Sequence, residues 1–162
     1  MKQLNSGFLL EQLIDDITAC KDVAQARQLL SVLINFTPNL ERAIECCVIS
    51  HAGQFRKSGE PYAIHPILVA CIVAHMGGDE DMIIAALLHD VVEDTDRSIE
   101  SVREDFGEEV AKLVEGLTKI VAIREDKLAS SESNERLAAS AMTFRKMLLI
   151  SIEDVRVLVV KL

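Results

Sequence analysis

Apolar residues recur at spacings of three and four along almost all of the 162-residue chain, and strict alternation is nearly absent. That period gathers the apolar side chains on one face of a helix and does not suit a half-buried strand, so the sequence predicts an all-α fold. Helix breakers divide the pattern. FLLEQLIDDITAC and VAQARQLLSVLINF predict two N-terminal helices, and Pro38 with Asn39 opens a third, NLERAIECCVISHAGQF. A polar turn, RKSGEP, follows, with Gly59 and Pro61 both unfavourable to helix. Pro66 starts PILVACIVAHM, Gly77-Gly78 ends it, and Asp79 is placed to cap EDMIIAALLHDVVED. SIESVREDFG and GEEVAKLVEGLTKI predict two more helices. IREDKLASSESNERLAAS is the most polar stretch and is expected to be a mobile connection. AMTFRKMLLISIEDVRVLVVKL is apolar again and reaches Leu162 with no Gly, Pro or polar cap behind it. The expected organisation is a pair of N-terminal helices over residues 1–38 and one domain over residues 39–162.

Composition narrows the function classes. Hydrophobic residues make up 49% and charged residues 27%, a balance that builds a packed core rather than a disordered chain. The net charge of -9 argues against broad binding to DNA or to an anionic membrane, because both need a cationic face. An anionic ligand must therefore be met by a local basic patch or by a metal. Cys20, Cys46, Cys47 and Cys71 form no CxxC pair, and MKQLNSGFLLEQLIDD lacks the build of a signal peptide, so a reduced, cytoplasmic setting is expected. The apolar run MIIAALL is far shorter than the roughly 20 residues that span a bilayer.

The chemistry concentrates in LLHDVVEDT, residues 87–95. On a helix His89 and Asp90 lie one turn before Glu93 and Asp94, so four polar heads share a region of an otherwise apolar element. Unpaired buried charge is costly, and such a group calls for a cation or a wet cleft. A helix that leaves the core at Glu93, with His89 a satisfied core residue, accounts for the same pattern, and periodicity does not choose between the two. A metal would bind His89 and Asp90, but two adjacent ligands cannot close a coordination shell. The other histidines are His51, His65 and His75. His51 follows AIECCVIS and precedes Gly53, where a buried helix surfaces towards the same cleft; His65 reads as a helix-start residue and His75 as a packing residue near a helix end. Cys47 and Cys71 stand four residues before His51 and His75, a weak zinc signal. Arg56 and Lys57 concentrate positive charge, either as a solvated turn or as a site for an anion or a base, with Lys119, Arg145 and Lys146 as further contributors.

SHAGQFRKSGEPYAIHP, AALLHDVVEDT, FGEEVAKLVEGLTKI and TFRKMLL, in this order, resemble the hydrolase domain of the RelA/SpoT (Rel) stringent-response family within the HD phosphohydrolase superfamily. The resemblance spans roughly residues 40 to 162. It implies an HD-domain helical fold, one divalent ion, typically manganese, and removal of pyrophosphate from the 3′ position of ppGpp and pppGpp to leave GDP or GTP. By the same resemblance His51, His89 and Asp90 are metal ligands, Glu93 and Asp94 position or activate the attacking water, and Arg56, Lys57 and Ser58 pack around the guanine and sugar. In the family the run equivalent to RVLVVKL continues into an aspartate, the last protein ligand, followed by Arg-Leu-His-Asn. This chain stops at Leu162, so the resemblance implies a domain truncated before that ligand and a weakened metal site. Thr143 stands where the family has asparagine. Many relatives carry a downstream synthetase domain. The rival readings are a non-catalytic alarmone-binding or regulatory module and an HD phosphohydrolase for another nucleotide.

Overall fold

The structure, a computed structural model, describes residues 6–125, with side-chain surroundings for residues 11–117. Among the described residues seven helices follow one another: α1 (Ser6–Ala19), α2 (Val23–Leu33), α3 (Pro38–Ser50), α4 (Ile64–His75), α5 (Glu80–Asp94), α6 (Ile99–Phe106) and α7 (Glu108–Glu125). Among the described residues the only extended pairing is an isolated bridge between Phe55 and Pro61, so the class is all-α as the period predicts. The polar connection beyond Glu125, the apolar C-terminal run, Thr143, Arg145 and Lys146 lie outside the described residues, as does the side chain of Lys119.

Local chemistry explains where the helices begin. Asp22, Thr37, Asp79 and Ser98 each accept a hydrogen bond from a backbone N–H of the first turn they precede. Each such cap contributes about 1 kcal/mol relative to alanine, because it satisfies a donor that the helix leaves without a partner.

α4 is the central element. Ile64 and the run from Pro66 to Val73 are buried, which is why this helix is apolar on every side instead of along one stripe. It packs against α2 and α5, and α5 packs in turn against α3 and α7. Leu13 and Ile17 from α1, Leu30 from α2, Ile44 from α3, Val102 from α6 and Val114 from α7 belong to the same core, so the N-terminal helices share it. Cys46, Cys47 and Cys71 are buried free thiols, and no described helix is long and apolar enough to cross a membrane.

Several boundaries differ from the sequence reading: α2 ends at Leu33 before Ile34, Asn35 and Phe36, α7 runs on to Glu125, and two further differences bear on the site. The third helix stops at Ser50 instead of continuing to Phe55: Gly53 takes φ +79°, outside the range of a continuing helix. Residues 54–62 then fold into a short hairpin, held by Tyr62 N–H to Gln54 O at 2.9 Å and Arg56 N–H to Glu60 O at 2.8 Å. α4 starts at Ile64, two residues ahead of Pro66, since a proline in the first turn removes no intrahelical hydrogen bond.

The end of α4 sets the geometry of everything that follows. Gly77 adopts φ +83° and the Gly78 N–H bonds Val73 O at 2.9 Å, a Schellman closure in which a Cβ on Gly78 would lie 2.5 Å from the Val73 side chain. So short a turn sends α5 back antiparallel to α4, and the start of α4 therefore lies beside the end of α5. Leu30 joins α2 to this pair and is fully buried. Leu30→Ala should lower the free energy of unfolding by about 2–5 kcal/mol in urea titrations, within one cooperative transition.

Candidate functional site

Antiparallel packing brings the first turn of α4 against the last turns of α5. One donor atom from each of His65, His89 and Asp90 lies within 4.8 Å of the others. His89 Nε2 is 3.1 Å from Asp90 Oδ1 and His65 Nε2 is 3.8 Å from Asp90 Oδ2. From the hairpin, the Tyr62 hydroxyl donates to Asp90 Oδ2 at 2.9 Å and to Asp94 Oδ2 at 3.3 Å. Burial opposes ionisation of Asp90, but the hydrogen bond and charge of His89, with His65 and Tyr62, outweigh it and hold the carboxyl well below the usual carboxylate range. The converse holds at His89, where burial disfavours the charged ring but the Asp90 carboxylate and the Ala86 carbonyl raise its pKa. Burial and the two carboxylates push the Tyr62 phenol well above its ordinary value, which keeps it a donor.

The chemistry of these donors suits a cation. His89 Nδ1 lies 2.5 Å from the Ala86 carbonyl, which only accepts, so Nδ1 carries a proton. In the neutral ring the lone pair of Nε2 then faces the Asp90 carboxylate. Two electron-rich atoms so close need positive charge between them, either a proton or a metal ion. Two imidazoles and one carboxylate form a donor set suited to a divalent transition metal. The last turn of α5 points the same way: it carries Glu93 and Asp94 and no basic residue, against the helix dipole, a cost that a nearby cation relieves.

The structure regroups the residues singled out in the sequence. His89 and Asp90 come together as expected, but their third partner is His65, whose place at the start of α4 is what brings it to them. His51 is not in this cluster. It caps the end of α3 with its ring 4.9 Å from that of Tyr62, is 2% exposed, and its Nε2 has no hydrogen-bond partner. His75 closes the opposite end of α4. Cys47 and Cys71 are buried outside the cluster, and burial pushes both thiols up. Glu93 and Asp94 are exposed at the end of α5. Arg56, Lys57 and Ser58 form the tip of the hairpin: Arg56 is half-buried, Lys57 and Ser58 are exposed, and the Ser58 hydroxyl donates to Glu60 at 3.2 Å. Tyr62 and Gln54, the latter joined to both His51 and Asp94, were not singled out by the sequence reading.

The HD domain family model matches residues 43–162. The guanosine-3′,5′-bis(diphosphate) 3′-pyrophosphohydrolase of Aquifex aeolicus (strain VF5) is 46% identical over 135 residues, which cover 83% of this chain and 18% of that protein. A probable enzyme of the same name from Synechocystis sp. (strain ATCC 27184 / PCC 6803 / Kazusa) is 53% identical over 112 residues, 69% of this chain and 14% of that protein. The bifunctional (p)ppGpp synthase/hydrolase SpoT of Escherichia coli (strain K12) is 46% identical over 113 residues, 70% of this chain and 15% of that protein. The chain thus spans less than a fifth of the length of these curated relatives. A match over most of its length, on an all-α fold with a paired His and Asp at its centre, means that the chain belongs to the HD domain family, with RelA/SpoT hydrolases among its relatives.

Proposed function

We propose that this chain is the HD hydrolase domain of a cytoplasmic (p)ppGpp 3′-pyrophosphohydrolase, in which residues 39–162 form the domain and residues 1–38 add covering helices. The observation that carries the reading is the set of three converging donors around buried Asp90, next to an exposed acidic pair, in a chain so similar to named hydrolases of this substrate. His65, His89 and Asp90 would hold a divalent ion, proposed to be manganese, and His65 takes the ligand place that the resemblance gave to His51. When bound, such an ion supplies Lewis-acid polarisation of a phosphate oxygen and a lowered pKa for water.

The protein's own groups do the rest. Tyr62 and the two histidines keep Asp90 ionised. Of Glu93 and Asp94, exposed within a turn of the ligands, one takes the proton from the attacking water and the other orients it. Its oxygen bonds the phosphorus attached to the ribose 3′ oxygen, that phosphorus–oxygen bond breaks, and the proton is relayed to the ribose. The products are GDP or GTP and pyrophosphate. Arg56, Lys57 and Ser58 hold the guanine and sugar, the guanidinium by stacking and the ammonium as a point charge.

Calorimetric titration with manganese should show binding that His65→Ala, His89→Ala and Asp90→Asn each weaken by more than the roughly 10–100-fold typical of outer-shell changes. His51→Ala should weaken it less than any of the three, and the opposite order would return His51 to the ligand set. Pyrophosphate release from ppGpp, assayed on the chain and on a version continued past Leu162, should fall about 10²–10⁴-fold in Glu93→Gln or Asp94→Asn with manganese affinity retained. Nucleotide binding without turnover in either form would replace the hydrolase reading with that of a regulatory module. Tyr62→Phe removes a hydrogen bond to a buried carboxylate, so it should cost about 1.5–3 kcal/mol in metal-free urea unfolding.

A further inference from the structure

One polar network near the site has no part in the scheme above. Gln54 Nε2 donates to the Asp94 carbonyl at 3.0 Å, and Gln54 Oε1 lies 2.9 Å from His51 Nδ1. Chemistry fixes both orientations. The Asp94 carbonyl can only accept, so the amide N–H₂ must face it, and Oε1 must face the imidazole. Because Oε1 can only accept as well, His51 Nδ1 carries a proton, which in the neutral ring is the Nδ1–H tautomer. The ring's Nε2 is buried without a hydrogen-bond partner, in a residue 2% exposed.

We infer that Gln54 is a positioning residue, which sets the tautomer of His51 and ties the hairpin bearing Arg56, Lys57 and Ser58 to the turn of α5 bearing Glu93 and Asp94. The two arms of the hairpin reach the same residue by different routes. Gln54, on the first arm, holds the backbone carbonyl of Asp94, and Tyr62, on the second, holds its carboxylate. Two attachments fix orientation as well as distance, where one would leave a pivot. The arms are themselves joined by Tyr62 N–H to Gln54 O at 2.9 Å. An exposed turn that grips one end of a ligand can act with a carboxylate on another helix only if the two are held in register, because a misplacement of about 1 Å costs on the order of 10²-fold in rate. The inference rests on the proposed hydrolase activity for its effect on turnover, whereas its two hydrogen bonds are testable without any activity.

Gln54→Glu keeps an acceptor for His51 and loses the donor to Asp94; Gln54→Leu loses both. Long-range ¹H–¹⁵N spectra of the histidine rings and the carbonyl ¹³C shift of Asp94 separate the two bonds. The native chain and Gln54→Glu should show His51 protonated at Nδ1, Gln54→Leu should not, and the Asp94 carbonyl should shift in both variants. Turnover of ppGpp should fall about 10–100-fold in both, the range typical of outer-shell groups, with manganese affinity changed far less. His51 protonated at Nε2 in the native chain, or Gln54→Leu spectra unchanged at both positions, would overturn the assignment. So would native turnover in both variants. Expected spectra with no turnover by the native chain would leave the tie in place and count against the hydrolase reading alone.

Discussion

The carboxylate of Asp90 is the group on which the arrangement of the molecule depends. It sits on α5 in a stretch where every residue from Ile83 to Leu88 is buried and Val91 follows, so the helix leaves it little access to water. A charge in that position costs several kcal/mol unless it is paired and hydrogen-bonded. Its partners come from three places: His89 beside it, His65 at the start of α4, and Tyr62 from the hairpin. None of the last two would be in reach without the antiparallel return made by Gly77 and Gly78. The hydrophobic packing that buries α5 and the polar convergence that makes a site are therefore one construction, and the apolar core carries the cost of holding the donors together.

The proposed function asks an acidic chain to serve an anionic substrate, and the same construction bears on how. With a net charge of -9 the surface as a whole repels phosphates. Two local features work against that field: the basic tip of the hairpin and a donor cluster whose chemistry suits a cation. In the proposed scheme Glu93 and Asp94 work between the two, at a helix C-terminus where a lone acidic pair is unfavourable.

Helix content was legible because burial on one face imposes a period that survives in a single sequence, and the cap at Asp79 shows as a side chain able to accept a first-turn N–H. The His89-Asp90 pair stood out as polar residues inside an apolar run. The end of α3 was not legible, since the apolar spacing runs on through Ser50 and only the backbone angle at Gly53 interrupts it. The place of His65 beside His89 and Asp90 was not legible for a related reason: its neighbour Pro66 accounts for a helix start, and nothing local ties it to α5. A topological signal was available, because a short Gly-Gly connection favours antiparallel neighbours, which puts the first turn of one helix beside the last turn of the other. Gln54 and Tyr62 act across 40 and 32 residues and left no local trace.

The hairpin also behaves unlike an ordinary surface loop. Most exposed connections tolerate inserted residues because only their ends are held. Here Phe55 pairs with Pro61, and the second arm passes without a break through Tyr62 into the turn of α4 that carries His65. One added residue beyond Gly59 would shift the pairing and turn Tyr62 to the other side. The cost would fall on Asp90, a residue of another helix, so the number of residues in this loop is set by the electrostatics of the interior.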